Sequence, residues 1–223
     1  MTPPSVSAQP SVRIRLATTG DAAAMARVLC ESFDEFQVRY TPQGFAATTP
    51  DEQSICSRMK EGPAWLAVSE HAIVGTASAV KKHSALYIRG MGGIPAAKKP
   101  GSELYIRGMA VIPAARGHNI GRMLLETIEA YALAQSCTQL TLCTTPFLSA
   151  AIALYERFGF RFVADGPNDL FGTPLLNMAK PLGGESEFYE QHRYEKQRKE
   201  QLCRKIMDTL LTGTPRTATS ASA

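Results

Sequence analysis

Residues 116–121 read Arg-Gly-His-Asn-Ile-Gly and stand between a strand-like segment ending at Ile112 and a helical run from Arg122 to Ala134. A glycine-bearing turn at a helix start leaves backbone N–H groups free and presents the positive end of the helix dipole. Such a turn holds anions and suits phosphate best. Arg116 and Arg122 bracket it with positive charge. There is no Gly-Lys-Ser/Thr, which excludes a nucleoside-triphosphate loop. No Gly-x-Gly-x-x-Gly follows the first strand, which excludes a dinucleotide fold. Taken alone, the turn is equally a tight entry into a helix.

Other reactive side chains are less organised. Tyr155 stands beside Leu154 and Phe158, and its spacing alone reads as an amphipathic core tyrosine. The five cysteines, Cys30, Cys56, Cys137, Cys143 and Cys203, are odd in number and scattered. None has the spacing of a metal or redox pair, so they read as reduced packing thiols of a cytoplasmic protein, and no metal site is expected. His83 and His118 read as solvated or loop histidines, with His118 lining the phosphate turn.

The elements that must position these groups follow from length and pattern. The chain has 223 residues, 44% hydrophobic and 20% charged, which excludes a disordered chain or a coiled-coil rod. No run approaches the roughly 20 apolar residues of a membrane helix, and the polar, proline-rich start is not a secretory signal. The net charge of +4 suits an anionic small ligand and is too small to indicate nucleic acid.

Residues 1–11 read as a flexible leader. A strand covers residues 13–16, a capped helix 22–33, a loop 34–48 and a short helix from about residue 51. Two hairpin strands, 65–68 and 73–80, come next. Leu86–Met91 then recurs as Leu104–Met109, and Ile94–Ala97 as Ile112–Ala115, at an offset of 18 residues. Only the second copy leads into the glycine turn, so it is the expected central strand, and residues 82–102 are a duplicated insert. A helix over 122–134, a strand over 140–144 and a helix over 148–158 follow, Ser149 being a plausible cap and Gly159 a stop. Two closing strands end near Leu182, which makes residues 12–182 one α/β domain. Residues 183–223 form a charged helical tail with a disordered end. Its helical part, 185–211, balances six acidic against six basic residues. Leu202, Ile206 and Leu210 give that tail an apolar stripe, which docks on its own domain or serves a homodimer or partner contact.

Two runs carry a resemblance. Met109 to Leu125 resembles motif A of the GNAT N-acetyltransferase superfamily: a central strand, then Arg/Gln-x-x-Gly-x-Gly/Ala, then a helix. Ala151 to Phe160 resembles its motif B, Leu-Tyr-Glu-x-x-Gly-Phe. The resemblance implies an α/β fold with a mixed, mostly antiparallel sheet, a parallel central strand pair that splays apart, and helices on both faces. It also implies acetyl-CoA as cofactor. The backbone of Arg116, Gly117, His118, Asn119, Ile120 and Gly121, with Arg122 beside them, would hold the pyrophosphate. Backbone groups near Met109, Ala110 and Val111 would hold the pantetheine arm and the thioester carbonyl, the latter as an oxyanion site. Two departures stand out. Asn119 occupies the first motif glycine, and Leu148 stands where many members carry an Asn.

The implied reaction is attack of a primary amine, of a small molecule or a protein, on the thioester. Tyr155 would protonate the leaving thiolate as a general acid. Alternation places residues 103, 105, 107, 109 and 111 on one face of the central strand. Glu103 on that face is then a candidate base acting through water, or an ordinary strand-edge glutamate. Arg107 reads as a surface residue or an acidic-substrate contact. The alternative function is a non-catalytic acyl-CoA-binding module whose tail recruits a partner.

Overall fold

The computed structural model describes residues 11–83, 102–164 and 166–182. The leader up to residue 10, the first repeat copy and the charged tail lie outside the described residues.

Strand β1 (Val12–Leu16) leads into a turn in which the Arg15 guanidinium grips both oxygens of Asp21, at 2.8 and 2.7 Å. Asp21 also accepts from Thr18 N and Oγ1, and it holds the N-cap position of helix α1 (Ala22–Phe33) without a side-chain cap bond to it. Met25, Val28, Leu29 and Ser32 recur at helical spacing and are buried. The expected loop over 34–48 is instead a 3-10 turn, Asp34–Arg39, followed by helix α2 (Pro42–Thr48). Thr41 Oγ1 accepts from Gly44 N at 3.1 Å, and Pro42 takes the first helical position. These are start signals that the short, sparsely apolar segment masks. Helix α3 (Glu52–Met59) is capped by Asp51.

Strands β2 (Ala64–Ser69), β3 (Ala72–His83), β4 (Ser102–Val111), β5 (Gln139–Thr144), β6 (Arg161–Val163) and β9 (Leu176–Pro181) join β1 in one sheet of order β1-β2-β3-β4-β5-β9-β6. Among the described residues only β4 and β5 pair in parallel. A separate hairpin, β7 (Asp169–Leu170) with β8 (Thr173–Pro174), was not legible in the sequence. The second repeat copy is the central strand, as expected. His83 pairs with Ser102, so the first copy lies within the connection between β3 and β4.

Helices cover both faces. Helix α4 (Ile120–Ala134) buries Ile120, Leu124, Leu125 and Ile128 against Trp65, Leu104, Ile106, Leu140 and Met178. Helices α1 and α3 bury Met25, Val28, Leu29 and Ile55 against Leu66, Val68 and Ala110 on the other face. Strand β2 is therefore apolar at every position from Ala64 to Val68, as a strand covered on both sides must be. Each fully buried leucine contributes ~1.5–3 kcal/mol relative to exposure. Helix α5 (Ser149–Arg157) follows β5, and Gly159 at φ 100° closes it. Ser149 is not its cap. Leu148 holds the N-cap position and no side chain caps it.

Candidate active site

The central parallel pair is short. It runs from Glu103–Gln139 to Ile106–Leu142 and stops. Beyond that, β5 continues against β9 as far as Thr144–Leu176, while β4 continues against β3. The two central strands part because β4 bulges. Arg107 faces Ser78 and Ala110 faces Thr76, so Gly108 and Met109 together oppose Ala77 alone. Gly108 takes φ 57°, which glycine does without strain. The bulge also corrects the alternation read from sequence. Glu103, Tyr105 and Arg107 share one face as expected. Met109 and Val111, however, pack with Leu104 and Ile106 on the α4 side, and Ala110 joins the α1 side.

The parting opens a cleft of about 970 Å³, lined by β4 from Tyr105 to Val111 and by Leu142, Cys143 and Thr144 of β5. The start of α4 forms one end. Gly117 lies at φ 82° and Asn119 at φ 63°, ψ 9°, the left-handed region. Asn is the non-glycine residue that tolerates this conformation best. Asn119 makes no side-chain cap bond, so the first N–H groups of α4 are left for a ligand. A Cβ on Gly117 would meet nothing within 4 Å, so the backbone there is open to close approach. The flanking arginines are already engaged. Arg116 donates to Ser32 O at 3.0 Å and pairs with Glu35, and Arg122 pairs with Glu126 at 2.7 Å. An anion at this turn would therefore meet backbone N–H groups and the helix dipole more than free side-chain charge.

Nine of the ten expected cofactor residues, Met109, Ala110, Val111, Arg116, Gly117, Asn119, Ile120, Gly121 and Arg122, line the cleft. His118 does not. Its Nδ1 lies 3.3 Å from Ala115 O, and the residue borders a cavity of about 190 Å³ shared with Val12 and Val74. Tyr155 lines the cleft and is only 8% exposed. Its ring meets Phe160 edge-on at 5.9 Å. Burial pushes its phenol up to about 12, with the Tyr40 phenol adding to the effect. Glu103 is not among the lining residues. It accepts from Gln139 Nε2 at 3.0 Å. Five residues separate it from Gly108, about 16 Å along an extended strand.

Sequence reasoning missed the α1–α3 side of the cleft. Phe36 stacks on Phe147, Tyr40 meets Phe147 edge-on at 4.9 Å, and all three line the cleft. Arg58 lines it too, donating to Ala47 O at 3.0 Å. Arg107 donates to Arg58 O at 3.1 Å and pairs with Glu61 at 2.7 Å. Burial, then the charge of Arg107, lowers the Arg58 pKa. Burial raises those of Tyr105 and Cys143. Of these residues the sequence singles out Arg107 alone, and the fold brings the others to it. The roof is tied down by Thr41, whose Oγ1 donates to Phe171 O at 2.8 Å and whose N donates to Thr173 Oγ1. That contact joins α2 to the β7–β8 hairpin.

Solved structures share this architecture. A GNAT-family acetyltransferase from Staphylococcus aureus superposes with a TM-score of 0.60 at 17% identity, over 78% of this chain and 100% of its own. The PaiA N-acetyltransferase of Thermoplasma acidophilum, in complex with coenzyme A, gives 0.58 at 15% identity, over 77% and 99%. The yncA protein of Salmonella typhimurium, solved with its cofactor acetyl-CoA, gives 0.56 at 20%, over 79% and 96%. At these identities the likeness establishes the fold. Among curated proteins none matches the sequence significantly. The model of the acetyltransferase (GNAT) family, in contrast, matches residues 27–160, from within α1 through the Tyr155 helix. Matched over more than half its length, and carrying the strand parting and glycine turn that the two motifs imply, the chain belongs to the GNAT acetyltransferase family.

Proposed function

We propose that this protein transfers an acetyl group from acetyl-CoA to a primary amine. The observation that carries the reading is the parting of β4 from β5 beside an uncapped α4 N-terminus. The residues present suit the cofactor. The cleft is long enough for an extended arm, and the open space above Gly117 and the free N–H groups of α4 suit a pyrophosphate. Related folds solved with coenzyme A and with acetyl-CoA support the same cofactor.

Acetyl-CoA supplies the thioester carbonyl that the amine attacks. The chain's part is to hold and polarise. Backbone groups of Gly108 to Val111, freed from strand pairing on the β5 side, orient the arm and donate to the carbonyl oxygen as charge develops on it. Tyr155 donates a hydrogen bond to the leaving sulfur. Burial keeps the Tyr155 phenol protonated, so it is positioned to protonate the thiolate as it leaves, and the ammonium formed by the attacking nitrogen returns a proton to the phenolate. No carboxylate or imidazole appears among the described residues lining the cleft, so the amine enters in its neutral form. Glu103 lies outside the cleft lining and accepts from Gln139.

The test is release of free CoA thiol from acetyl-CoA in the presence of amines, with the full chain and with Tyr155→Phe. Turnover that falls at least a hundredfold in the variant, with acetyl-CoA affinity kept, supports an enzyme. Binding of acetyl-CoA without thiol release from either protein supports the non-catalytic module instead.

A further inference from the structure

The geometry points to an acceptor that carries a carboxylate beside its amine, seated between Arg58 and Arg107. This rests on the acetyltransferase reading and deepens it. Two guanidinium groups line this wall of the cleft, and one carboxylate answers them. Glu61 pairs with Arg107 at 2.7 Å and is itself half exposed. Arg58 makes no ion pair of its own among the described residues; it donates to Ala47 O and shares the Glu61 carboxylate only at longer range, since that group pairs with Arg107. A half-buried guanidinium with only a shared counter-charge is costly, and its planar fork matches a carboxylate in two-point contact. A second, independent observation marks the same place. Arg107 Nε is buried and has no hydrogen-bond partner.

The position separates this charge from the cofactor's phosphates. Tyr105 and Arg107 point to the α1–α3 face, opposite α4. Val111, which leads into the phosphate turn, is four residues and about 13 Å further along β4. The arm that spans this distance is uncharged, so the cofactor does not answer Arg58. The stretch Gly108–Met109, where the carbonyl would lie, stands between the two anion sites. An acceptor with its carboxylate on the arginines therefore presents its amine toward the bulge. Tyr40, Phe36 and Phe147 supply an apolar wall for its remaining atoms.

The experiment measures CoA release by the full chain with each of the common L-amino acids, with the matching α-carboxamides, and with spermidine as a cationic control. The expected result is a kcat/KM at least tenfold higher for the acid than for its amide. Arg58→Gln should raise KM for the acid about tenfold with little change in kcat, and narrow the preference for acid over amide to less than about threefold. Glu61→Gln, at an exposed position, should lower KM by freeing Arg107, an effect that misfolding cannot mimic. Equal rates for acids and amides, or preference for spermidine, would overturn the proposal. So would no turnover with any member of the panel while acetyl-CoA still raises the melting temperature. An absent acetyl-CoA shift would instead overturn the acetyltransferase reading, and the proposal with it.

Discussion

A Cβ placed on Gly121 would lie 2.7 Å from Cδ2 of Leu154, so the first turn of α4 rests directly on α5. Leu154 is the neighbour of Tyr155. The glycine turn and the proposed thiolate donor are thus linked by one contact between two helices.

Gly121→Ala tests that contact. Overpacking costs ~1–3 kcal/mol, offset by up to ~1 kcal/mol of helix propensity. The expected outcome is a melting temperature lower by a few degrees. Acetyl-CoA binding should weaken more than stability, about tenfold, the equivalent of ~1.4 kcal/mol. Calorimetric titration measures it. Unchanged affinity would mean that the turn tolerates displacement.

Asn119 is the family's glycine position, and it takes the left-handed backbone that a glycine would take. Asn119→Gly should leave acetyl-CoA affinity unchanged or tighter. Asn119→Val should destabilise by ~1–2 kcal/mol, because a β-branched residue resists positive φ. Urea denaturation and titration of the two variants give opposite signs if the conformation is what the site needs.

Tyr155→Phe should lower kcat a hundredfold or more and leave acetyl-CoA affinity within about threefold. Because its phenol stays protonated up to about 12, Tyr155 gives no descending limb to the rate below that pH. The same burial sets a stability signature. Tyr40, Tyr105 and Tyr155 are all raised in the folded protein, whereas unfolded phenols ionise near 10. The unfolded state then releases protons first, and stability falls as pH rises from about 10 through 12. Melting temperatures across that range should fall less steeply in Tyr155→Phe than in the parent.

Glu103→Gln should change kcat/KM by less than about threefold, since its carboxylate faces Gln139 at the far end of β4 from the bulge. The rising limb of the pH profile should follow the pKa of the acceptor amine in both proteins. A limb that disappears in the variant would restore Glu103 as the base.

Much of the frame was legible. Strand alternation, the amphipathic faces of α1 and α4, and glycines at helix ends are local signals, and they located most of the sheet and the glycine turn before α4. What failed was non-local. Strict alternation put Met109 and Val111 beside Arg107, but Gly108 absorbs an extra residue against Ala77 and reverses the phase. That bulge depends on the partner strand, which a single run of residues does not reveal. Segment 34–48 hid α2 because only Gly44 of that helix is buried, and its support comes from Thr41, which bonds Thr173 of a hairpin 132 residues away in sequence. Arg58 and Glu61 gained meaning only when folding set them against Arg107.

The central claim is that the parted strands hold acetyl-CoA. The direct measurement is the melting temperature of the full chain titrated with acetyl-CoA, with AMP as control. Ligand at 100 times its dissociation constant adds ~2.7 kcal/mol, which for a protein of this size is a rise of about 5–10 °C. A rise of that order with acetyl-CoA and none with AMP is the predicted result. No rise at millimolar acetyl-CoA would contradict the account.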